Sequence, residues 1–223
     1  MTTKKKGKTT AGEITIAAPN FQTGEFILVG TAPYVQNKFS AKALNEMREK
    51  QEAGSTAKKG KKREAKDFEQ CYESAKHVAD DGWLGIPAPA FRNGMIDACR
   101  AAGFHMTKAK MSVFVEADGF DKQDGTPLVR ITKGEPKTYD PDTCIDLVRN
   151  ATGVVDLRPR PRWAPGWEAK VRVRFDADQF TLTDVANLLM RVGMQVGIGE
   201  GRPFSKNSNG MGWGLFDLKN GKK

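Results

Sequence analysis

The chain has 223 residues, of which 39% are hydrophobic and 28% charged, enough apolar content for a packed core beneath a strongly polar surface. Its net charge is +9, which points to a polyanionic partner. No run of about 18 apolar residues occurs, which excludes a membrane-spanning helix, and no apolar stretch follows the basic start in the way a secretory signal requires.

Residues 1–12 read as a disordered basic arm, with Lys4, Lys5, Lys6 and Lys8 among Thr and Gly and no periodicity. An α+β domain is expected from 13 to 218. Ile14 and Ile16 alternate with polar neighbours, and Phe26-Ile27-Leu28-Val29 ending at Gly30 predicts a buried strand. Tyr34, Val35 and Phe39 continue an extended stretch after Pro33. Ser40 suits the N-cap of a helix through Leu44 and Met47. Residues near 50–62 hold glycine, dense charge and no large apolar side chain, and read as a flexible basic insertion. A helix follows with Phe68, Tyr72 and Ala75 on one face and His77 at its end.

Pro89 suits the first turn of a further helix, in which Phe91, Met95, Ile96 and Cys99 fall at helical spacing and which Gly103 ends. Lys108 to Ala117 reads as a strand with Met111, Val113 and Val115 on one face. Leu128, Val129 and Ile131 predict a short strand, and Cys144 to Arg149 a turn or an edge strand. Val154 to Arg162 is extended, and a hairpin through Ala164-Pro165-Gly166 is expected to lead into Trp167 to Phe175. In that strand Val171, Val173 and Phe175 alternate with Lys170, Arg172 and Arg174. Thr181 or Thr183 caps a helix carrying Val185, Leu188, Leu189 and Val192, stopped at Gly193. Met194 to Gly197 reads as extended, Gly212 to Leu218 as the closing strand, and 219–223 as a basic tail. A ferredoxin-like core explains the order, as one unit or as two halves each contributing strand–helix–strand.

The charge sits unevenly. Residues 1–12, 58–66 and 219–223 carry +4, +5 and +3, so the remainder carries −3. Either the lysines serve solubility or they act as arms that grip phosphates. Within the body, Arg158, Arg160 and Arg162 share one face of an extended strand, and Arg172 and Arg174 share a face of the next, with Trp163 and Trp167 beside them. Guanidinium forks bind phosphate bidentately and stack on bases, so these five arginines are candidate nucleic-acid contacts, while the two tryptophans read as core. A second candidate is the glycine-rich segment from Gly197 to Gly214. Its glycines let another backbone approach closely, and Gly199, Gly201, Arg202, Lys206 and Gly210 offer amides and cations to phosphates. It runs from a helix into a strand, unlike a dinucleotide fingerprint, and the P-loop pattern is absent.

Gly197-Ile198-Gly199 and Gly210-Met211-Gly212, separated by a spacer between the last helix and the last strand, resemble the glycine-rich loop of the RAMP superfamily. Ile86-Pro87-Ala88-Pro89-Ala90-Phe91-Arg92-Asn93-Gly94 is similar to that family's extended lead into a helix. The resemblance covers the C-terminal fifty residues or so and elsewhere only the order of elements; the spacer is longer than is usual. It implies a RAMP-like, ferredoxin-like fold and an RNA-binding role of the kind found in CRISPR systems. RNA or single-stranded DNA is then the expected partner, with a homo-oligomer or larger ribonucleoprotein as the assembly.

Catalytic signals are thin. His77 and His105 are the two histidines. The resemblance implies, as the enzymatic alternative to a non-catalytic binder, a metal-independent endoribonuclease using one of them with Tyr34 or Tyr72. The acid pairs Asp80-Asp81 and Asp140-Asp142 lie in turn-like contexts. Cys71, Cys99 and Cys144 are odd in number and lack a CxxC spacing, so neither a disulfide framework nor a zinc site is expected, and no metal or other cofactor is called for. A reducing cytoplasm is the expected compartment. A phage or bacterial interaction protein with solubilising lysines is the third reading.

Overall fold

The computed structural model describes residues 18–38, 66–134, 139–149, 155–205 and 210–219, together with positions 45, 48, 49 and 52. The arm at 1–12, the strand around Ile14 and Ile16 and the tail beyond Lys219 lie outside these described residues, as do the helix from Ser40 and the insertion near 50–62 except at positions 45, 48, 49 and 52, which are helical.

The Phe26–Val29 run lies in β1 (Phe21–Gly30), whose alternate residues Gly24, Leu28 and Gly30 are buried. β1 pairs antiparallel along its whole length with β9 (Glu168–Asp176), from Phe21 opposite Asp176 to Val29 opposite Glu168. The alternation expected of β9 is present: Ala169, Val171, Val173 and Phe175 are buried, and Lys170 and Arg174 face out. On the other edge of β1 lies β10 (Phe216–Leu218). The far edge of β9 takes β4 (Val113–Glu116) along Arg172–Phe175 and β6 (Pro127–Thr132) at Glu168 and Ala169. β3 (Gly85–Pro87) and β5 (Gly119–Phe120) extend the sheet from β6.

Two helices cover the buried face. α2 (Ala88–Ala101) carries Pro89 in its first turn and buries Phe91, Met95, Ile96 and Cys99. α4 (Leu182–Arg191) opens with a capping box in which the Asp184 amide donates to Thr181 Oγ1 (3.1 Å) and the Thr181 amide donates to Asp184 Oδ2 (2.8 Å). It buries Val185, Leu188 and Leu189. The path β1–α2–β4–β9–α4–β10, with the strands in the order β10-β1-β9-β4, is a ferredoxin-like βαββαβ unit. It is one unit drawing its elements from the whole chain, not two halves.

A second sheet stands apart, with β8 (Val155–Trp163) flanked by β2 (Tyr34–Val35) and β7 (Asp142–Arg149). The short helix α1 (Phe68–Ser74) packs on β8. Tyr34 joins the two layers, its ring 5.4 Å from Trp163 and 5.6 Å from Trp167. Both tryptophans are wholly buried, and their indole N–H groups donate to Tyr139 O and Ala32 O, as large polar-tipped side chains in a core require.

Three local expectations are corrected. β8 and β9 do not form a hairpin: Gly166 makes the turn with φ 91°, but β8 enters the small sheet and β9 the large one. Residues Met106–Ser112 are helical (α3), with the strand starting only at Val113. Lys108-Ala109-Lys110-Met111 is a run of helix formers, and Met111 stays 70% exposed, so it shares no buried face with Val113. After α4 the chain forms a π-helical turn, Val192–Val196, closed by the Gly197 amide on Val192 O (2.7 Å), where an extended stretch was expected. Gly193 is there because Phe216 O passes 1.9 Å from where its Cβ would be and leaves no room for a side chain. It marks close approach of β10 rather than a helix stop.

Candidate nucleic-acid interface

The glycine-rich segment is held against the stretch around β2. The Ile198 amide donates to Gly214 O, the Gly214 amide to Pro33 O, the Glu200 amide to Val35 O and the Trp213 amide to Gly201 O, all at 2.7–3.2 Å. Gly199 (φ 74°) and Gly214 (φ 71°) are dictated by this packing: a Cβ would lie 2.5 Å from Val35 O at the first and 1.8 Å from Ile198 O at the second. The close backbone approach that glycine permits is therefore made within the chain. Gly201 sits on the Trp213 ring, and at Gly210 a Cβ would meet nothing within 4 Å.

Between this loop, the residues after β2 and the first turns of α2 lies a groove of about 230 Å³. Gln36, Asn37 and Asn93 give it neutral donors and acceptors, Asp97 and Glu200 negative charge, and Arg202 a guanidinium that also donates to Gly199 O (2.7 Å). Of the loop residues singled out from sequence, Gly199 and Arg202 line the groove, Gly201 packs just behind, and Gly210 lies farther along the loop. Lys206 lies outside the described residues.

The five arginines do not form one stripe. Arg160 is 3% exposed, with Nη1 3.3 Å from Asp146 and 3.6 Å from Glu200 and with Nε lacking a partner. It ties β8 to the glycine loop. Arg158 pairs with Asp156 at 3.3 Å. Arg162 is half-buried, in register with Asp142 of β7 and Val35 of β2. On the other sheet, Arg172 reaches Asp118 (3.0 Å), Glu116 (3.5 Å) and Ala117 O. Arg174 is exposed and lies over the rings of Phe21 and Phe114, 5.1 and 5.3 Å from their centroids.

His77 reaches the groove, with Nδ1 2.9 Å from Oδ2 of the buried Asp121. Asp121 Oδ1 takes the buried Lys38 ammonium and the Gln123 amide (2.8 Å), and Asp124 lies 3.7 Å from Lys38. Burial alone would raise the Asp121 pKa, but its hydrogen bonds, with Lys38 first, hold it below the ordinary value. Burial lowers the pKa of His77 more than Asp121 raises it, so its neutral form is favoured. Gln36 Oε1 accepts from the His77 amide (3.1 Å) while its Nε2 donates to Gly85 O and to Tyr34 Oη.

The ligand atoms of His77, Asp121 and Asp124 lie within 4.8 Å of one another. Both Asp121 oxygens are already engaged, and the Lys38 ammonium supplies the positive charge, so the cluster reads as an ion-pair network. His105 is exposed just before α3 and takes no part in the groove; Tyr72 donates to Pro141 O (2.9 Å) and holds α1 to the chain before β7. Of the acid–base candidates, His77 and Tyr34 meet in one groove. Lys38, Gln36, Asn93 and Asp121 escape sequence reasoning because no local pattern joins them.

No family model matches the chain, and no curated protein matches it. Among solved structures, the chain is similar to one from a cryo-EM structure of the Type III-B Cmr-beta bound to cognate target RNA, with a TM-score of 0.46 and 10% identity. The match covers 90% of this chain and 60% of that one, so the chain spans less than two thirds of that neighbour's length. No helix among the described residues is long and apolar enough to cross a membrane.

Proposed function

We propose that the chain is a RAMP-like protein that binds single-stranded nucleic acid, RNA or DNA, in the groove beside Gly197–Arg202, and does so without cleaving it. The observation that carries this reading is the position of the glycine-rich loop, between the last helix and last strand of a ferredoxin-like unit, as one wall of a groove whose other walls present amide side chains. Asn37 and Asn93 offer both donors and acceptors, the chemistry that meets base edges, while the buried Gln36 amide is engaged by His77, Gly85 and Tyr34 and braces the wall behind them. Lysines in the segments 1–12 and 58–66 supply charge for the phosphates.

The test is fluorescence anisotropy with labelled single-stranded RNA and DNA at low ionic strength. Binding that weakens steeply with salt, and that Asn93→Ala and Arg202→Ala each reduce, supports the groove. No binding of either strand at low salt overturns it.

One observation favours a second reading, a metal-independent endoribonuclease. His77 faces the groove with Nδ1 fixed by Asp121, which leaves Nε2 to accept the proton of a 2′-hydroxyl as general base. Wild-type protein that cleaves RNA but not the deoxy strand, and His77→Gln that binds without cleaving, would establish it. Intact RNA after prolonged incubation removes it.

A further inference from the structure

The helices α2 and α4 cover one face of the large sheet. The opposite face of its two central strands carries Phe21, Glu25 and Ile27 from β1 and Lys170, Arg172 and Arg174 from β9. Most of this face is self-neutralised: Lys170 pairs with Glu25 at 3.1 Å, and Arg172 with Asp118 and Glu116.

One corner differs. Phe21 is 38% exposed, and its ring meets that of Phe114 edge-on at 5.8 Å. Arg174 lies over both rings, and Arg92 of α2 lies 5.1 Å from the Phe114 centroid on the way to the carbonyls of Val113 and Lys110. Among the described residues neither Arg174 nor Arg92 pairs with a carboxylate, whereas Arg158, Arg160 and Arg172 all do. An accessible aromatic ring next to two guanidinium groups that no acid neutralises is a surface short of both a stacking partner and an anion. A nucleotide supplies both, a π-face and a phosphate. An apolar protein partner would leave the two charges uncompensated.

We propose that Phe21 and Arg174 form a nucleobase-stacking platform on the open face of the sheet, separate from the groove, with Phe114 and Arg92 fixing its geometry. An unpaired base stacks on the exposed face of Phe21, and Arg174 meets the adjoining phosphate. The proposal rests on the reading of the chain as a binder of single-stranded nucleic acid, and adds a second contact surface to it.

The experiment compares a single strand carrying bases with an abasic strand of the same length, for wild type, Phe21→Leu, Phe21→Tyr, Arg174→Ala and the groove variant Asn93→Ala. Leu keeps apolar bulk and removes the π-face. We expect Phe21→Leu to weaken binding of the base-bearing strand roughly tenfold and to leave the abasic strand unchanged. Phe21→Tyr retains affinity. Arg174→Ala makes the salt dependence shallower by about 0.7 in slope, as the loss of one phosphate contact on a single strand requires. An iodouracil strand crosslinks to the segment containing Phe21. If Phe21→Leu binds both strands like wild type while Asn93→Ala is impaired, the platform is overturned and the groove stands. If wild type binds neither strand, both fall. If Phe21→Leu loses both strands equally, its effect is on folding or on charge, and the platform is overturned.

Discussion

Lys38 and Asp121 bury opposite charges side by side, with Asp124 and His77 around them. Taking one partner away strands the other in a poorly solvated site, so Lys38→Met should cost about 3–5 kcal/mol of stability. Lys38→Met with Asp121→Asn should cost clearly less than the two single changes added together, because each single change includes the stranded charge. Urea titrations of the four proteins measure this, and strict additivity would show the pair to be uncoupled. Acid acts on the same cluster. His77 is held below its ordinary 6.5 in the fold by burial, so the unfolded chain takes up its proton first. That contribution is whole above about pH 6.5 and is lost as the pH falls through this value toward the folded one. Asp121, also held low, gives a second loss beginning below its ordinary 3.8. His77→Gln should therefore flatten the decline in the urea midpoint that sets in as the pH falls through about 6.5, while leaving the more acidic limb in place.

The glycine loop is constrained by its own packing. Gly214→Ala drives a methyl into Ile198 O, with φ at 71°, and should lower stability by about 3 kcal/mol or more. Gly210→Ala meets nothing within 4 Å and should cost about 1–2 kcal/mol, the conformational penalty alone. Thermal unfolding of the two variants ranks them, and equal midpoints would refute the packing account. This loop, β9 and α2 were legible in the sequence, because alternation, helical spacing and clustered glycine are local patterns. α3 is hidden in the sequence because Met111, Val113 and Val115 alternate across a helix–strand junction and mimic one strand. The separation of β8 from β9 is not legible in the sequence, because the turn at Gly166 is real while the choice of sheet for each flanking strand depends on remote partners. The buried cluster was not legible at all, since Lys38 and Asp121 meet across 83 positions of sequence. The Arg160 contact to Glu200 likewise joins segments that no periodicity connects.

Over the whole molecule, the net positive charge concentrates in the sequence segments 1–12, 58–66 and 219–223, and residues 1–12 alone hold +4. Deleting them should make the slope of log affinity against log salt shallower by at most about 3, at roughly 0.7 per phosphate contact on a single strand. Binding should persist, because the groove and sheet face remain; complete loss would show that the arm alone binds. The ferredoxin-like path has a further consequence, in time rather than in space. β1 is made first, yet its neighbours on either side are β9 and β10, from the far end of the chain. At about 5–20 residues per second, roughly 10–40 s separate synthesis of β1 from that of its last partner. Until β9 is made, Phe26-Ile27-Leu28-Val29 is an apolar segment with both hydrogen-bonding edges unmatched, and from then until β10 is made one edge stays open, the kind of sequence that pairs with the wrong chain. A holding chaperone that recognises extended apolar peptide would meet this segment on the ribosome and lose it once Phe216–Leu218 clears the exit tunnel.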